Sequence, residues 1–381
     1  MPAPRQARLM IREVEESWMV TRGRFLSALK STAGSASHLY DGDRISVSAR
    51  SEAPSSFHAS ISPAVGFWAR RLKGLGIDAF TLTRTAQSFS HAFLPGPAAE
   101  DFRQWCVLEI PGRHGMKFFW SRPARHYYPR VVELLRLARL ASRTPPRELP
   151  PRLPVVFAHG TAGIVFHEVL GHPLEADIVQ GTSYWKRIGQ AMGPPALTVA
   201  DDPSFPGLPA CRRIDDEGVP ASRRVLLEKG VLKDLLCDLR SSDRLILRPG
   251  SARVSAVVDP PAPRVTNTVV EADPSSPASP ARLFPRYLLV AGIVCARFVP
   301  PGDVELEAGP SVLISGGREQ AGLSRVLIRG KEEDFLAGLT AVGPRVEACL
   351  TFGFCAKDGR PVPVGAAAPY AAYRSLRVVT I

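Results

Sequence analysis

A proline-rich stretch divides this chain and limits the folds that it can adopt. Residues 144–154, TPPRELPPRLP, contain five prolines. Proline fixes φ and lacks a backbone N–H donor, so neither a helix nor a central strand can run through such a stretch. With 381 residues, the chain is long enough for two domains with buried cores. We therefore predict one domain over residues 1–150 and a second over residues 151–381.

The spacing of apolar residues predicts an α/β fold for the N-terminal domain. Residues 8–33 mix apolar and charged side chains at near-helical spacing, which predicts one or two short helices. Helices are also predicted over residues 61–77 and 128–142. Strands are predicted over residues 44–50, 105–110 and 116–120, with a turn at residues 111–115 between the last two.

The second domain is predicted to be rich in antiparallel β-structure. Strand-like runs recur from residue 211 onward, and Glu228-Lys229-Gly230 separates two of them as a hairpin turn does. Residues 354–367, with two prolines, are predicted to be a loop. The predicted fold class is α+β: an N-terminal α/β domain followed by a β-rich antiparallel C-terminal domain that carries a helix around residue 167.

The positive charge of the chain is concentrated in its first 150 residues. They carry 22 Lys+Arg and 12 Asp+Glu, whereas the rest of the chain carries 26 and 24. Such a surface could attract acidic peptides or nucleic acid. Nucleic-acid binding is the less favoured interpretation, because no helix-turn-helix, zinc-finger or RNP-like motif accompanies the charge.

The sequence predicts a soluble cytoplasmic protein. The first 20 residues interleave charges with apolar side chains, unlike a signal peptide. No apolar run approaches the roughly 20 residues that span a bilayer. The six cysteines form no CxxC pair, so we expect reduced thiols.

Residues 167–172, HEVLGH, place two imidazoles around a carboxylate. Imidazole nitrogen is a preferred zinc ligand, and three protein ligands leave a fourth position for water. His167 and His172 lie at i and i+5, about 140° apart on a regular helix, whereas zinc-binding pairs on helices are usually spaced i and i+4. Gly171 suits a left-handed terminating residue, and Pro173 disfavours helical backbone at His172. We predict that the helix ends before His172, which turns back toward His167.

The remaining parts of a hydrolytic metal site are also present. Glu168 is the candidate general base, which would take a proton from a metal-activated water and pass it to the leaving amine. The third ligand could be Glu175, three residues after His172, or the thiolate of Cys355. The residues alone do not decide between them. If it is not a ligand, Glu175 is expected to accept the outer N–H of an imidazole, and the same role is expected for Asp177.

Five segments, in order along the chain, resemble motifs of the TldD/PmbA family of metallopeptidases. They are residues 162–177 (AGIVFHEVLGHPLEAD), 214–220 (IDDEGVP), 227–233 (LEKGVLK), 263–268 (PRVTNT) and 355–365 (CAKDGRPVPVG). The resemblance covers roughly residues 155–381, and the N-terminal part shows no clear family motif. The chain departs from the family pattern at Pro173, Ala356 and Arg360, which bears more on substrate preference than on metal binding.

The resemblance implies a specific site and activity. It implies Zn²⁺ held by His167, His172 and Cys355, with Glu168 intact as in the metal-bearing type of subunit. The implied substrate is an extended or unfolded peptide held by strand addition. The implied assembly is a homodimer, or a heterodimer with a related metal-free subunit. We expect a zinc-dependent peptidase; the alternative is a non-catalytic partner or scaffold subunit with a structural zinc site.

Overall fold

The structure, a computed structural model, describes residues 5–22, 24–41, 44–52, 62–94, 98–111, 116–121, 125–143, 148–179 and 184–381. It is an α+β protein built mostly from antiparallel strands, so the predicted fold class is confirmed. Residues 112–115 of the turn predicted at 111–115, and residues 144–147 of the proline-rich stretch, lie outside the described residues. Within these ranges, no helix is both long enough and apolar enough to cross a membrane.

An antiparallel sheet dominates the N-terminal half. Its described strands are β1 (Arg5–Thr21), β2 (Arg24–Asp41), β3 (Arg44–Glu52), β4 (Ala79–Leu94), β5 (Ala99–Ile110) and β6 (Met116–Trp120). They are ordered β3-β2-β1-β4-β5-β6. The helices α1 (Ser62–Lys73) and α2 (Tyr128–Arg143) share a hydrophobic cluster with this sheet. The predicted strands and the helices at 61–77 and 128–142 are therefore confirmed in kind.

The helices predicted within residues 8–33 are wrong, because this segment forms the hairpin of β1 and β2. β1 changes its buried face along its length. Leu9 packs with Phe89 and Val254, whereas Val20 packs in the cluster that contains Trp68 of α1. A strand that buries first its odd and then its even residues lacks one continuous period-two pattern. The charged residues between positions 12 and 16 are spaced among apolar residues as on a helix, which explains the wrong prediction.

The C-terminal half contains two larger sheets. Their strands are β7 (Arg152–Phe157), β8 (Val199–Asp201), β9 (Arg224–Glu228), β10 (Val231–Leu232), β13 (Asn267–Val270), β14 (Arg286–Val290), β15 (Ile293–Val299), β16 (Asp303–Ala308), β17 (Ser311–Ser315), β18 (Arg318–Leu323), β19 (Val326–Lys331), β20 (Leu339–Val342), β21 (Glu347–Ala348), β24 (Gly365–Ala368) and β25 (Ala371–Thr380). One sheet is ordered β10-β9-β8-β13-β24-β21. The other is ordered β15-β16-β19-β25-β7-β14-β17-β18, with β20 beside β25. Only the pairs β13–β24 and β7–β14 are parallel in these two sheets as described.

Short elements complete this half. Two further strand pairs are β11 (Ala252–Arg253) with β12 (Ala262–Pro263), and β22 (Phe354–Lys357) with β23 (Arg360–Pro363). The helices are α3 (Ala162–Phe166), α4 (Ala176–Val179), α5 (Leu239–Leu245) and α6 (Glu332–Ala337). Single 3-10 turns cover Arg125–Tyr127, Tyr184–Arg187 and Pro280–Arg282.

The two sequence-predicted turns of this half have different outcomes. The hairpin at residues 228–230 is confirmed, with Lys229 and Gly230 both at positive φ. The loop predicted over residues 354–367 is instead the hairpin β22–β23 followed by β24. Asp358 and Gly359, at φ 52° and 73°, form its two-residue turn, which is the turn chemistry that hairpins favour.

The hydrophobic core reaches across the proline-rich stretch. One cluster contains Leu134 of α2 together with Val312 of β17. A second cluster encloses α3 and the residues that follow it. The site-bearing helical segment is therefore held inside the β-structure of the C-terminal half, while the domain division at residue 150 stays a prediction.

Candidate metal centre

The helical segment that carries both imidazoles continues past α3 instead of ending. Residues His167–Gly171 form a π-helical turn, and the N–H of His172 bonds to the carbonyl oxygen of His167. A 3-10 turn, His172–Leu174, follows. An i→i+5 hydrogen bond brings residues i and i+5 one above the other. The π-turn thereby places His167 and His172 on one face despite their unusual spacing.

The predicted helix end at Gly171 is wrong. Gly171 has φ −58° and ψ −65°, and His172 has φ −63° and ψ −47°, so both are right-handed helical. Glycine is needed at position 171 for space: a Cβ there would lie 2.9 Å from Cγ2 of Val265. Pro173 is the second residue of the 3-10 turn, where its missing N–H leaves no hydrogen bond of that turn unmade.

The structure brings His167, His172 and Cys355 together. Their candidate ligand atoms all lie within 4.8 Å of one another, and the three side chains are buried. His172 Nε2 is 3.1 Å from Cys355 Sγ. The two imidazole rings have centroids 4.8 Å apart and planes at 81°. Cys355 reaches the imidazoles from 183 residues away along the chain because β22 lies beside the helical segment.

The outer nitrogen of each imidazole is held by a polar side chain. His167 Nδ1 lies 3.2 Å from Thr268 Oγ1, and His172 Nδ1 lies 3.3 Å from Glu175 Oε1. The contact with Glu175 leaves Nε2 of His172 facing Cys355. Nε2 of His167 is buried and has no hydrogen-bond partner among the described residues. A buried nitrogen without a partner is costly, and a cation between the three side chains would remove that cost.

The Glu175 carboxylate also accepts hydrogen bonds from groups other than His172. It accepts hydrogen bonds from Lys357 Nζ at 2.7 Å and from Val265 N at 3.2 Å. Lys357 also bonds Asp177 at 2.7 Å. A carboxylate that holds the outer nitrogen of a metal-binding histidine orients the ring and raises its basicity. Sequence reasoning missed Lys357 and Thr268, although both lie in the family-like segments 355–365 and 263–268.

Burial and neighbouring charges perturb the ionisable groups of the cluster. Burial, aided by His172, places the pKa of His167 well below its usual value. Burial also opposes protonation of His172, but the Glu175 carboxylate raises the pKa of His172 well above its usual value. Burial raises the pKa of Glu168, partly offset by His172 and by a hydrogen bond from the Phe298 backbone.

A cavity of about 1060 Å³ opens beside the three clustered side chains. Glu168, His172 and Cys355 line it together with the edge strand β15. Its other wall comes from the N-terminal sheet, through Met116 and Phe119 of β6. The N-terminal half, which shows no family motif, therefore helps to form the site.

Aromatic packing holds this wall against the Cys355 hairpin. Phe354 packs edge-on against Phe119, with ring centroids 5.9 Å apart, and against Trp105 at 6.2 Å. The N–H of Phe119 bonds the carbonyl of Leu350 at 2.7 Å. A Cβ at Gly353 would lie 2.1 Å from the Phe119 ring. The segment before Cys355 is thus fixed by the N-terminal sheet.

Comparisons with known proteins group the chain with metallopeptidases. The sequence profile of the PmbA/TldA metallopeptidase C-terminal domain matches residues 150–380. This match covers more than half of the chain. The protein therefore belongs to the PmbA/TldD metallopeptidase family.

Curated relatives carry metalloprotease names. The chain is 28% identical over 230 residues to "Metalloprotease TldD homolog" of Haemophilus influenzae, covering 57% of this chain and 46% of the relative. It is 30% identical over 243 residues to a "Metalloprotease" of Methanothermobacter thermautotrophicus, covering 63% and 52%. For "Zinc metalloprotease TldD homolog" of Saccharolobus solfataricus, the identity is 26% over 232 residues, covering 59% and 51%. The chain spans about half the length of these relatives.

Solved structures share the fold over nearly the whole chain. TldE from Thermococcus kodakarensis superposes with a TM-score of 0.77 at 13% identity, covering 98% of this chain and 96% of the other. A Thermotoga maritima protein, described as a candidate modulator of DNA gyrase, gives 0.74 at 15% identity, covering 99% and 96%. The N-terminal half therefore has the fold of these neighbours despite its lack of sequence motifs.

Proposed function

We propose that this chain is a zinc-dependent peptidase that cleaves extended or unfolded peptides. The observation that carries the proposal is the cluster of His167, His172 and Cys355, because His172 and Cys355 line one large cavity together with Glu168. Two imidazoles and a thiolate are the ligand types that zinc prefers, and three protein ligands leave a position open. The metalloprotease names of the relatives support the same class of activity.

Cys355 is the proposed third ligand. Its Sγ faces Nε2 of His172, whereas Glu175 faces the opposite nitrogen of that ring. Glu175 also accepts from Lys357 and Val265, which leaves it poorly placed to reach the centre of the cluster. When bound there, zinc would polarise the scissile carbonyl and lower the pKa of a water molecule.

Glu168 is the proposed general base. It follows a ligand directly, is 4% exposed, and lines the cavity with His172 and Cys355. Burial raises its pKa, which brings a carboxylate closer to the range in which it both accepts and returns a proton at neutral pH. Glu168 would take the proton of the attacking water and deliver it to the nitrogen of the departing amine.

The cavity wall suits an extended peptide with an apolar side chain. Strand β15 is an edge strand whose residues 293–298 line the cavity. A free strand edge can bind a peptide through backbone hydrogen bonds, with side chains entering neighbouring pockets. Val294 is 64% exposed and Phe354 is 41% exposed on this wall, so a bulky apolar residue of the substrate would cover them.

Assembly and location are also proposed. We propose a dimer, homo- or heteromeric, because β2 exposes Phe25, Leu26 and Leu29, an unusual amount of apolar surface for one strand. We propose a cytoplasmic location, because all six cysteines are unpaired and Cys355 must stay reduced to bind a metal.

One experiment separates catalysis from the alternative of a structural zinc site. Zinc content and cleavage of an unfolded peptide are measured for the wild type, for Glu168→Gln and for Glu228→Gln, an exposed matched control. We expect equal zinc in all three proteins and a loss of cleavage of about 10²–10⁴-fold in Glu168→Gln only. Zinc binding without cleavage by the wild type would support the scaffold alternative. Native cleavage by Glu168→Gln would remove Glu168 from its proposed role.

A further inference from the structure

We propose that a second cavity, beside the metal centre but distinct from it, binds a small oxyanion through Arg253. This cavity has a volume of about 190 Å³. It shares Asp177, Lys357 and Asp358 with the large cavity, so these residues form the wall between the two. A water occupies about 30 Å³ of liquid volume. The second cavity therefore has room for a sulfate, a phosphate or a carboxylate on a short chain.

Cationic side chains outnumber acidic ones in its lining. Three carboxylates, of Asp177, Asp259 and Asp358, face five cations: Arg240, Arg253, Arg264, Lys357 and Arg360. Four of these cations already contact a carboxylate. Arg360 lies 3.3 Å from Asp259, Arg240 lies 3.8 Å from Asp238, and Arg264 and Lys357 lie 3.8 and 2.7 Å from Glu175. The remaining cation is Arg253.

Arg253 is a buried guanidinium with few partners. It is 3% exposed, and it donates from one terminal nitrogen to the carbonyl of Val265 at 2.7 Å. Its Nε has no hydrogen-bond partner, and no carboxylate of the described residues lies within 4.0 Å of the guanidinium. Asp216 attracts Arg253 from beyond 4.0 Å, but its own ion pairs are with Arg103 at 2.6 Å and Arg212 at 3.1 Å.

A buried charge without a partner is costly, so buried arginines normally contact an anion. An oxyanion is the group that matches a guanidinium, since its oxygens accept two parallel N–H donors. Such an anion in the cavity would accept from the guanidinium of Arg253, which lines the cavity. Arg360, whose side chain is 48% exposed, also lines the cavity and can contribute a second cation.

Two sources could supply this chemistry. One is a free inorganic oxyanion. The other is the terminal carboxylate of a peptide, since only Asp177, Lys357 and Asp358 separate the second cavity from the large one. Both sources present negatively charged oxygens that can accept hydrogen bonds from Arg253.

The test is isothermal titration of the full zinc-loaded chain with inorganic sulfate, at ionic strength held constant with chloride. We expect one site per chain with a dissociation constant of about 1 mM or below. Arg253→Gln should weaken binding at least about tenfold, because a charge-assisted hydrogen bond is lost. Arg360→Gln should weaken it less. Arg286→Gln, an exposed arginine outside both cavities, should leave it unchanged.

Short acetylated peptides with free or amidated C-termini separate the two sources. Competition with sulfate by the free-acid peptide alone would identify a peptide terminus, and the absence of competition would identify a free anion. If Arg253→Gln does not fold, Arg253→Lys and Arg360→Gln carry the test. The proposal is overturned if sulfate and the free-acid peptide both fail to bind saturably, or if binding is the same in the cavity variants as in the wild type.

Discussion

Replacing Glu175 by Gln should weaken zinc binding although Glu175 is not a proposed ligand. Glu175 is fully buried and lies 3.3 Å from the outer nitrogen of His172. The amide keeps the shape of the side chain but removes the negative charge that supports the imidazole. Loss of such a supporting carboxylate lowers metal affinity about 10–100-fold, or about 1.4–2.7 kcal/mol.

The same substitution should also destabilise the fold. Burial alone would raise the pKa of Glu175, but His172 and Lys357 lower it well below its usual range. The ionised Glu175 carboxylate therefore stabilises the fold fully at pH values above its usual pKa of 4.5. This stabilisation is lost as the pH falls below that value toward the lowered pKa. Breaking a buried ion pair costs about 3–5 kcal/mol. For Glu175→Gln near neutral pH we expect a loss of stability at the lower end of this range, because Lys357 keeps Asp177 as a partner at 2.7 Å.

Asp177→Asn is the matched control for this prediction. Asp177 shares Lys357 with Glu175 but has no described contact with either imidazole. Zinc affinity is measured by competition with a chelator, and stability by urea denaturation of both variants at pH 7. Equal zinc affinity in Glu175→Gln and the wild type, or an equal loss in both variants, would refute the supporting role of Glu175.

Three further predictions concern the helix, the fold and the cavity wall. Gly171→Ala should destabilise the protein by about 1–3 kcal/mol in urea denaturation, because its Cβ would lie 2.9 Å from Val265; an unchanged midpoint would contradict the close packing. Burial, then Glu333, raises the pKa of Glu332 from 4.5 to about 7, so its contribution to stability is complete below pH 4.5 and falls as the pH rises through 7. Glu332→Gln should accordingly stabilise the protein by about 1–2 kcal/mol above pH 7, because solvent screening reduces the effect of the shift, and should change little below pH 4.5; a pH-independent effect would exclude this titration. Phe354→Ala should raise KM about tenfold for peptides with an aromatic residue, with kcat unchanged, in initial-rate measurements; an unchanged KM would place the substrate elsewhere.

The local pattern of residues was enough to predict the hairpin turn of the C-terminal half but not the N-terminal hairpin of β1 and β2. The hairpin turn at Lys229-Gly230 needs positive φ at both positions, and this requirement is visible in the residues themselves. β1 instead buries opposite faces against two different clusters, one around Leu9 and one around Val20. Which face is buried depends on tertiary contacts, and these are not encoded in the strand's own periodicity.

At the site, the sequence indicated the residue types but not how they meet. His167 and His172 were predicted to approach through a helix end, whereas a π-turn brings them to one face while the helix continues. A π-turn is stabilised by the packing around it, here by the close approach of Val265 to Gly171. The support of Glu175 by Lys357 likewise depends on the hairpin β22–β23, which the sequence alone predicted to be a loop.

The central claim is a zinc ion held by His167, His172 and Cys355. A crystal of the zinc-loaded protein, measured on both sides of the zinc absorption edge, tests it most directly. We predict one anomalous peak at about 2.0–2.3 Å from Nε2 of both imidazoles and from Sγ of Cys355. A peak coordinated by the carboxylate of Glu175 in place of Cys355, or the absence of a peak between the two imidazoles, would contradict it.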